Sequence, residues 1–193
     1  MPSPTEARER MVHAMASMMR KQGYEATGLT EVLEKSAAPR GSMYFYFPRG
    51  KEQLATDAIR LSQSSMDRFL DQITGQGSSA VEVTVAFATA MASTLRKSKY
   101  TDGCPVATVA LEMSAKSPDI RAAIDAAFSS WEGKLAAGFE KDLGPQATAA
   151  ARFVLAALEG ALVRARVQHS VTPLTETSEQ LTQYILAVAR RKK

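Results

Sequence analysis

The chain has 193 residues, 45% of them apolar and 23% charged, which is enough to bury the core of one or two small domains and excludes wholesale disorder. Its net charge of +4 permits a nucleic-acid partner without establishing one. The single cysteine, Cys104, excludes an internal disulfide and a thiolate zinc site, and fits a reducing compartment.

The start MPSPTEARER turns charged at once, against a signal peptide. The longest uncharged apolar stretch, Val83 to Leu95, is too short to span a bilayer. A cytoplasmic protein with no membrane partner is expected. Helical periodicity recurs almost end to end, and period-two alternation is nearly absent. An all-α fold of about nine helices is therefore predicted.

The first helix is expected from about Thr5 to Gln22, with Ala7, Met11, Ala14, Met15, Met18 and Met19 on one face. Gly23 stops it and Tyr24 packs back. Residues 28–47, GLTEVLEKSAAPRGSMYFYF, fit two short helices. Leu29, Val32 and Leu33 give the first an inner face. The second begins near Pro39, with Met43 and Phe47 inward. Only Ala37-Ala38 remains for the turn, which suggests helix-turn-helix.

A further helix begins near Lys51, and Gly75-Gln76-Gly77-Ser78-Ser79 reads as a flexible joint. One helix holds Val83, Phe87, Met91 and Leu95 in phase, and a shorter one follows Gly103-Cys104-Pro105. Ser117-Pro118-Asp119 reads as N-cap, N1 and N2 of a helix striped by Ile120, Ile124, Phe128, Trp131, Leu135 and Phe139. Leu143-Gly144-Pro145 separates it from a helix over 146–168, and Thr172-Pro173 opens the last, 173–191. The basic runs Arg96-Lys97-Ser98-Lys99 and Arg190-Arg191-Lys192-Lys193 fall at helix C-termini, where cations complement the dipole. Both read as solvated helix ends rather than DNA patches.

The outer face of the second short helix holds Arg40, Gly41, Ser42, Tyr44, Phe45 and Tyr46. Arginine can bridge guanine O6 and N7, glycine lets the backbone approach the groove, hydroxyls reach phosphates, and an aromatic edge can meet a thymine methyl. The competing reading makes the aromatics ordinary core, but so short a helix cannot bury them all.

GYEAT, the short helix after it, PRGSMYFYF and KEQL together resemble the N-terminal domain of TetR-type transcriptional repressors. Residues 40–47 match that family's pattern of a basic residue, Gly, Thr or Ser, Leu, Tyr, any residue, Tyr or His, and Phe, with Met43 for Leu. The likeness covers roughly residues 8–60. It departs where the usual Gly-Val-Ser turn is Ala37-Ala38-Pro39, where a Ser or Thr is replaced by Gly28, and where FPRGKEQL carries one extra loop residue. That loop and Gly103-Cys104-Pro105-Val106-Ala107 are similar to a subgroup of drug-efflux repressors.

The resemblance implies a helix-turn-helix domain over 1–50, with the motif at 28–47, and a ligand-binding and dimerisation domain over 51–193. It implies that Arg40 and Gly41 approach bases, and that Ser42, Tyr44, Tyr46 and Lys51 contact phosphates. Thr30 then sits at the groove edge, Thr27 or Thr30 does the capping that Gly28 cannot, and Phe45 takes either role. Backbone N–H groups at the start of the Lys51 helix are a further phosphate site.

Farther on, Phe87, Met91, Met113, Phe128, Trp131 and Phe153 are candidates for an apolar inducer pocket. Each is also a candidate for plain core. Trp131 leads, because an indole stacks and still donates a hydrogen bond. Glu112 and Glu159 either pair a cationic ligand or face solvent. Cys104 reads as a small buried hydrophobe more than as a sensor thiol.

Small residues along 146–168 permit close helix packing, and in the family the last two long helices pair with their symmetry mates. Phe153, Ala157, Gly160, Ala161, Arg164, Leu181, Tyr184, Ile185 and Val188 are the interface candidates. The alternative is that the alanines pack only within the monomer.

Catalysis has little support. His13 and His169 sit on unrelated helices, no Ser-His-Asp order, HExxH or P-loop is present, and the glycines after residue 74 lack the strand of a dinucleotide fingerprint. No cofactor or metal is expected. The leading expectation is a homodimeric repressor, released from a palindromic operator on double-stranded DNA by a small-molecule inducer. The rivals are a helical carrier or enzyme that keeps the fold without DNA binding, and an interaction scaffold.

Overall fold

The computed structural model describes residues 4–75 and 77–190, apart from the side chains of Pro4, Thr5 and Arg40. Gln76 of the joint and Arg191, Lys192 and Lys193 of the tail lie outside the described residues. Among those described there are nine α-helices and no strand. They are α1 (Pro4–Gln22), α2 (Leu29–Lys35), α3 (Met43–Tyr46), α4 (Gly50–Thr74), α5 (Ala80–Lys97), α6 (Pro105–Met113), α7 (Pro118–Leu143), α8 (Ala147–Gln168) and α9 (Thr172–Arg190). Single 3-10 turns, Arg40–Ser42 and Gly144–Gln146, lead into α3 and α8.

Local chemistry explains the breaks. Gly23 ends α1 at φ +81°, the left-handed region open to glycine. Ser117 caps α7 by accepting the Ile120 N–H at 3.1 Å, with Pro118 at the first helical position. Cys104 caps α6, its Sγ accepting the Ala107 N–H at 3.5 Å. The glycine joint ends in a capping box. Ser79 Oγ accepts the Glu82 N–H, and the Glu82 carboxylate accepts the Ser79 N–H at 2.7 Å. These bonds, first the backbone one and then that from the Ser79 hydroxyl, hold the Glu82 carboxyl below its ordinary range.

The chain forms two compact units. One comprises Met1–Ser65 with Cys104–Ala127, the other Met66–Gly103 with Phe128–Lys193. In the first, Met11, Met15 and Met19 of α1 are fully buried with Val32, Met43, Phe47, Leu54, Ile59, Val106 and Ile120. Methionine suits such a junction, because an unbranched side chain fills irregular gaps. Helix α1 packs on both α2 and α6.

In the second unit α5, α8 and α9 pack together around Val83, Phe87, Leu95, Val154, Leu158, Leu181 and Ile185. Trp131, Leu135 and Phe139 of α7 are buried in the same unit. Among the described residues, one stretch, Pro118–Gln168, is long and apolar enough to cross a membrane by length and composition, and nearly half of its most apolar part is buried. It comprises α7 and α8 with the Gly144–Gln146 turn between them.

Candidate nucleic-acid interface

The turn between α2 and the 3-10 entry to α3 is held from behind. Ala37 takes φ +50°, and its neighbour Ser36 offers a carbonyl that accepts the Arg10 Nε–H from α1 at 2.9 Å. Arg8 lies over the Phe47 ring, 5.1 Å from its centre, and pairs with Asp57 of α4. With Met43 and Phe47 buried, the opposite side of α3 faces solvent.

That outward side is the face expected from the sequence. Tyr44 is 67% exposed and Phe45 76% exposed, far above what a core aromatic shows. Tyr46 is half-buried and meets the Phe45 ring edge to face at 4.9 Å. Gly41 is exposed, and a Cβ placed there would meet nothing within 4 Å, so the backbone is open to an approaching surface. Thr30 and Gly28 are also exposed at the start of α2. Half-buried Ser42 donates its hydroxyl to the Pro39 carbonyl at 2.6 Å, a bond that a phosphate would have to displace. The side chain of Arg40 lies outside the described side chains.

Thr27 turns the other way. It is fully buried, and its hydroxyl donates to the Gly23 carbonyl at 2.6 Å. Thr27 closes the α1–α2 turn and presents nothing to a groove, which corrects the expectation of a DNA contact. Only Thr30 remains for that role.

Lys51 follows the N-terminal residue of α4, where free N–H groups favour an anion. Its ammonium sits 4.3 Å from the centre of the Tyr24 ring and 3.4 Å from the Glu25 carbonyl oxygen. Partial burial pushes its pKa below the ordinary lysine range, and Glu25 and Glu112 oppose that shift. The Lys116 hydrogen bond and charge hold the Glu25 carboxyl below its usual range. The sequence singles out Lys51 but does not place Tyr24, Glu25 or Glu112 around it, because their separation in the chain leaves no local signal.

The pocket candidates lie on several helices. Phe128 and Trp131 meet edge to face at 5.6 Å on α7. Phe87 instead meets Phe69 of α4, a residue the sequence reading passed over, at 6.3 Å. Met91 is half-buried on α5. Met113 belongs to the other compact unit. Phe153 is 49% exposed and packs on Tyr184 of α9 at 4.9 Å. Half-buried Glu112 accepts the N–H of Tyr24 at 2.6 Å.

The dimer candidates divide by face. Ala161, Leu181 and Ile185 are buried within the single chain, as the alternative of packing inside the monomer expects. Phe153, Gly160 and Arg164 are exposed, and Ala157, Tyr184 and Val188 half-exposed. Two residues missing from the expectation share the exposed side of α8: Val163 is 59% and Val167 76% exposed. An open groove of about 330 Å³ runs between α8 and α9, lined by Phe153, Ala157, Gln180, Leu181 and Tyr184 among others.

Residues 12–58 match the family described as bacterial regulatory proteins, tetR family, and residues 80–180 match the LmrA/YxaF-like transcriptional regulator C-terminal domain. The HTH-type transcriptional regulator YxaF of Bacillus subtilis is 30% identical, covering 94% of this chain and 96% of its own. Rv0196 of Mycobacterium tuberculosis, also an HTH-type transcriptional regulator, is 34% identical over 93% of this chain and 94% of its own. Among solved structures, the regulatory protein TetR from Rhodobacter sphaeroides superposes with a TM-score of 0.84. It covers 92% of this chain and 97% of its own at 24% identity, a likeness of fold.

Proposed function

Because this chain belongs to the tetR family, with a C-terminal domain of the LmrA/YxaF-like type, it is a DNA-binding transcriptional regulator and not an enzyme, and from that premise we propose that it is a homodimeric repressor released from a palindromic operator by a mainly apolar small molecule. It acts in the cytoplasm, with each α3 reading one half-site in the major groove. The two half-sites lie about one helical turn apart, ~34–36 Å, so that both helices enter one face of the duplex. Arg40 and Gly41 approach bases, while Tyr44, Tyr46, Ser42 and Lys51 hold phosphates.

The observation that carries this reading is the outward side of α3. Two large aromatics stand in solvent beside an unobstructed glycine, on a helix whose Met43 and Phe47 are buried. Groove contact gives those exposed rings a partner.

The exposed side of α8 and the groove beside α9 support the second copy. Phe128 and Trp131 are the favoured wall of the inducer site. Linkage requires that a ligand which loosens DNA binding itself binds the DNA-bound dimer more weakly, by the same factor.

Selection from a randomised duplex pool tests the proposal. Wild-type protein should enrich an inverted repeat, and Arg40→Ala should lose about 1–3 kcal/mol at that site and relax preference at one base pair per half. A pool without enrichment would overturn base-specific reading.

A further inference from the structure

Glu112 stands on α6, some 60 residues beyond the helix-turn-helix, yet its carboxylate serves the backbone next to that motif. Oε2 accepts the Tyr24 N–H at 2.6 Å and the Glu25 N–H at 3.2 Å. The carboxylate fits because Gly23 has no side chain: a Cβ there would run into it. The segment is tied down once more by the Lys116–Glu25 ion pair at 2.7 Å, and the Ser117 hydroxyl donates to Glu52, the neighbour of Lys51 on α4. Tyr24 in turn carries the Lys51 ammonium on its ring at 4.3 Å. A continuous run of contacts, all within one compact unit, therefore leads from α6 through residues 23–25 to Lys51.

We infer that Tyr24 and Glu112 are positioning residues for a phosphate contact made by Lys51, the tyrosine ring serving as the platform for the ammonium and the α6 carboxylate fixing the backbone that bears the ring. This rests on the reading of Lys51 as a phosphate contact. A free lysine loses rotamer freedom when it is fixed on a phosphate. An ammonium already held over an aromatic face has lost part of that freedom before DNA arrives. Pairing with Lys116 also offsets the Glu25 charge, which would otherwise oppose an approaching phosphate.

The test is affinity of the full-length protein for its enriched operator, titrated against salt. Lys51→Ala should lower the salt slope by about 1. Tyr24→Leu should lower it in the same direction and add nothing in the Tyr24→Leu/Lys51→Ala double variant, while Tyr24→Phe, which keeps the ring, should behave as wild type. Glu112→Ala should reproduce Tyr24→Leu, and Glu112→Gln, whose amide oxygen still accepts both N–H groups, should restore the slope. If Tyr24→Leu does not fold, the cycle between Glu112→Ala and Lys51→Ala carries the test alone. Additive losses, or a wild-type slope in Tyr24→Leu beside a lowered one in Lys51→Ala, would overturn the positioning role and leave the phosphate contact standing. An unchanged slope in Lys51→Ala would overturn the phosphate contact and the positioning role with it.

Discussion

Helix α3 and the exposed side of α8 both leave large apolar side chains in water, but in different company. On α3 the exposed rings of Tyr44 and Phe45 stand beside a bare glycine, a serine hydroxyl and, on the next helix, a lysine. On α8 the exposed residues Phe153, Ala156, Gly160, Val163 and Val167 recur at three- and four-residue steps, a stripe of small and aliphatic groups with one aromatic ring at its start. The first arrangement suits a charged, grooved surface that needs hydrogen bonds and cations as well as apolar contact. The second suits another apolar helix. Exposure alone does not distinguish a DNA contact from a subunit contact; the chemistry of the neighbours does.

The largest effect should come from breaking the α8 stripe. Val163→Asp with Val167→Asp would bury uncompensated charge if this is the subunit interface, a loss on the order of 3–5 kcal/mol. Sedimentation should then show monomer at concentrations where the wild type is a dimer. Gly160→Trp is a companion test, because the first added atom meets nothing in its own chain and the monomer should fold normally. A folded, fully dimeric double-aspartate variant would move the interface elsewhere.

The α3 side can be sharpened next. If Phe45 meets a thymine methyl, replacing that thymine by deoxyuridine should weaken wild-type binding by about 1 kcal/mol, the value of one buried carbon. Phe45→Ala should no longer distinguish the two duplexes. Equal discrimination in Phe45→Ala would assign the ring to the sugar-phosphate backbone instead.

The smallest effect concerns the capping box that starts α5, in the same unit as α8. The folded-state pKa of Glu82 is depressed, so its contribution is present above the ordinary carboxylate range and is lost as pH falls through the folded value. Melting temperature followed from neutral to acid pH should fall slightly less in Glu82→Gln than in the wild type. Identical pH profiles would show that the Ser79 bonds do not stabilise the ionised form.

The helices and the sense of the helix-turn-helix are legible in the chain alone, because those signals are local. Gly23, Ser117-Pro118 and Gly144-Pro145 mark breaks through their own backbone and capping chemistry, and Met43 with Phe47 sets the phase of α3 at a four-residue step. Packing between distant segments sets the rest. Alanine surrounds α8 on every side, so periodicity does not say that Ala161 and Ala165 turn inward while Gly160 and Val163 stay out. Thr27 and Thr30 are alike in sequence, and only the closing of the α1–α2 turn buries one and leaves the other in solvent. Glu112 finds its partners 87 and 88 residues away because α6 packs on α1, and Lys51 of α4 meets the Tyr24 ring from 27 residues further along the chain. Periodicity and caps act over one or two turns of helix, whereas a carboxylate's choice of partner depends on which distant backbone the fold delivers to it.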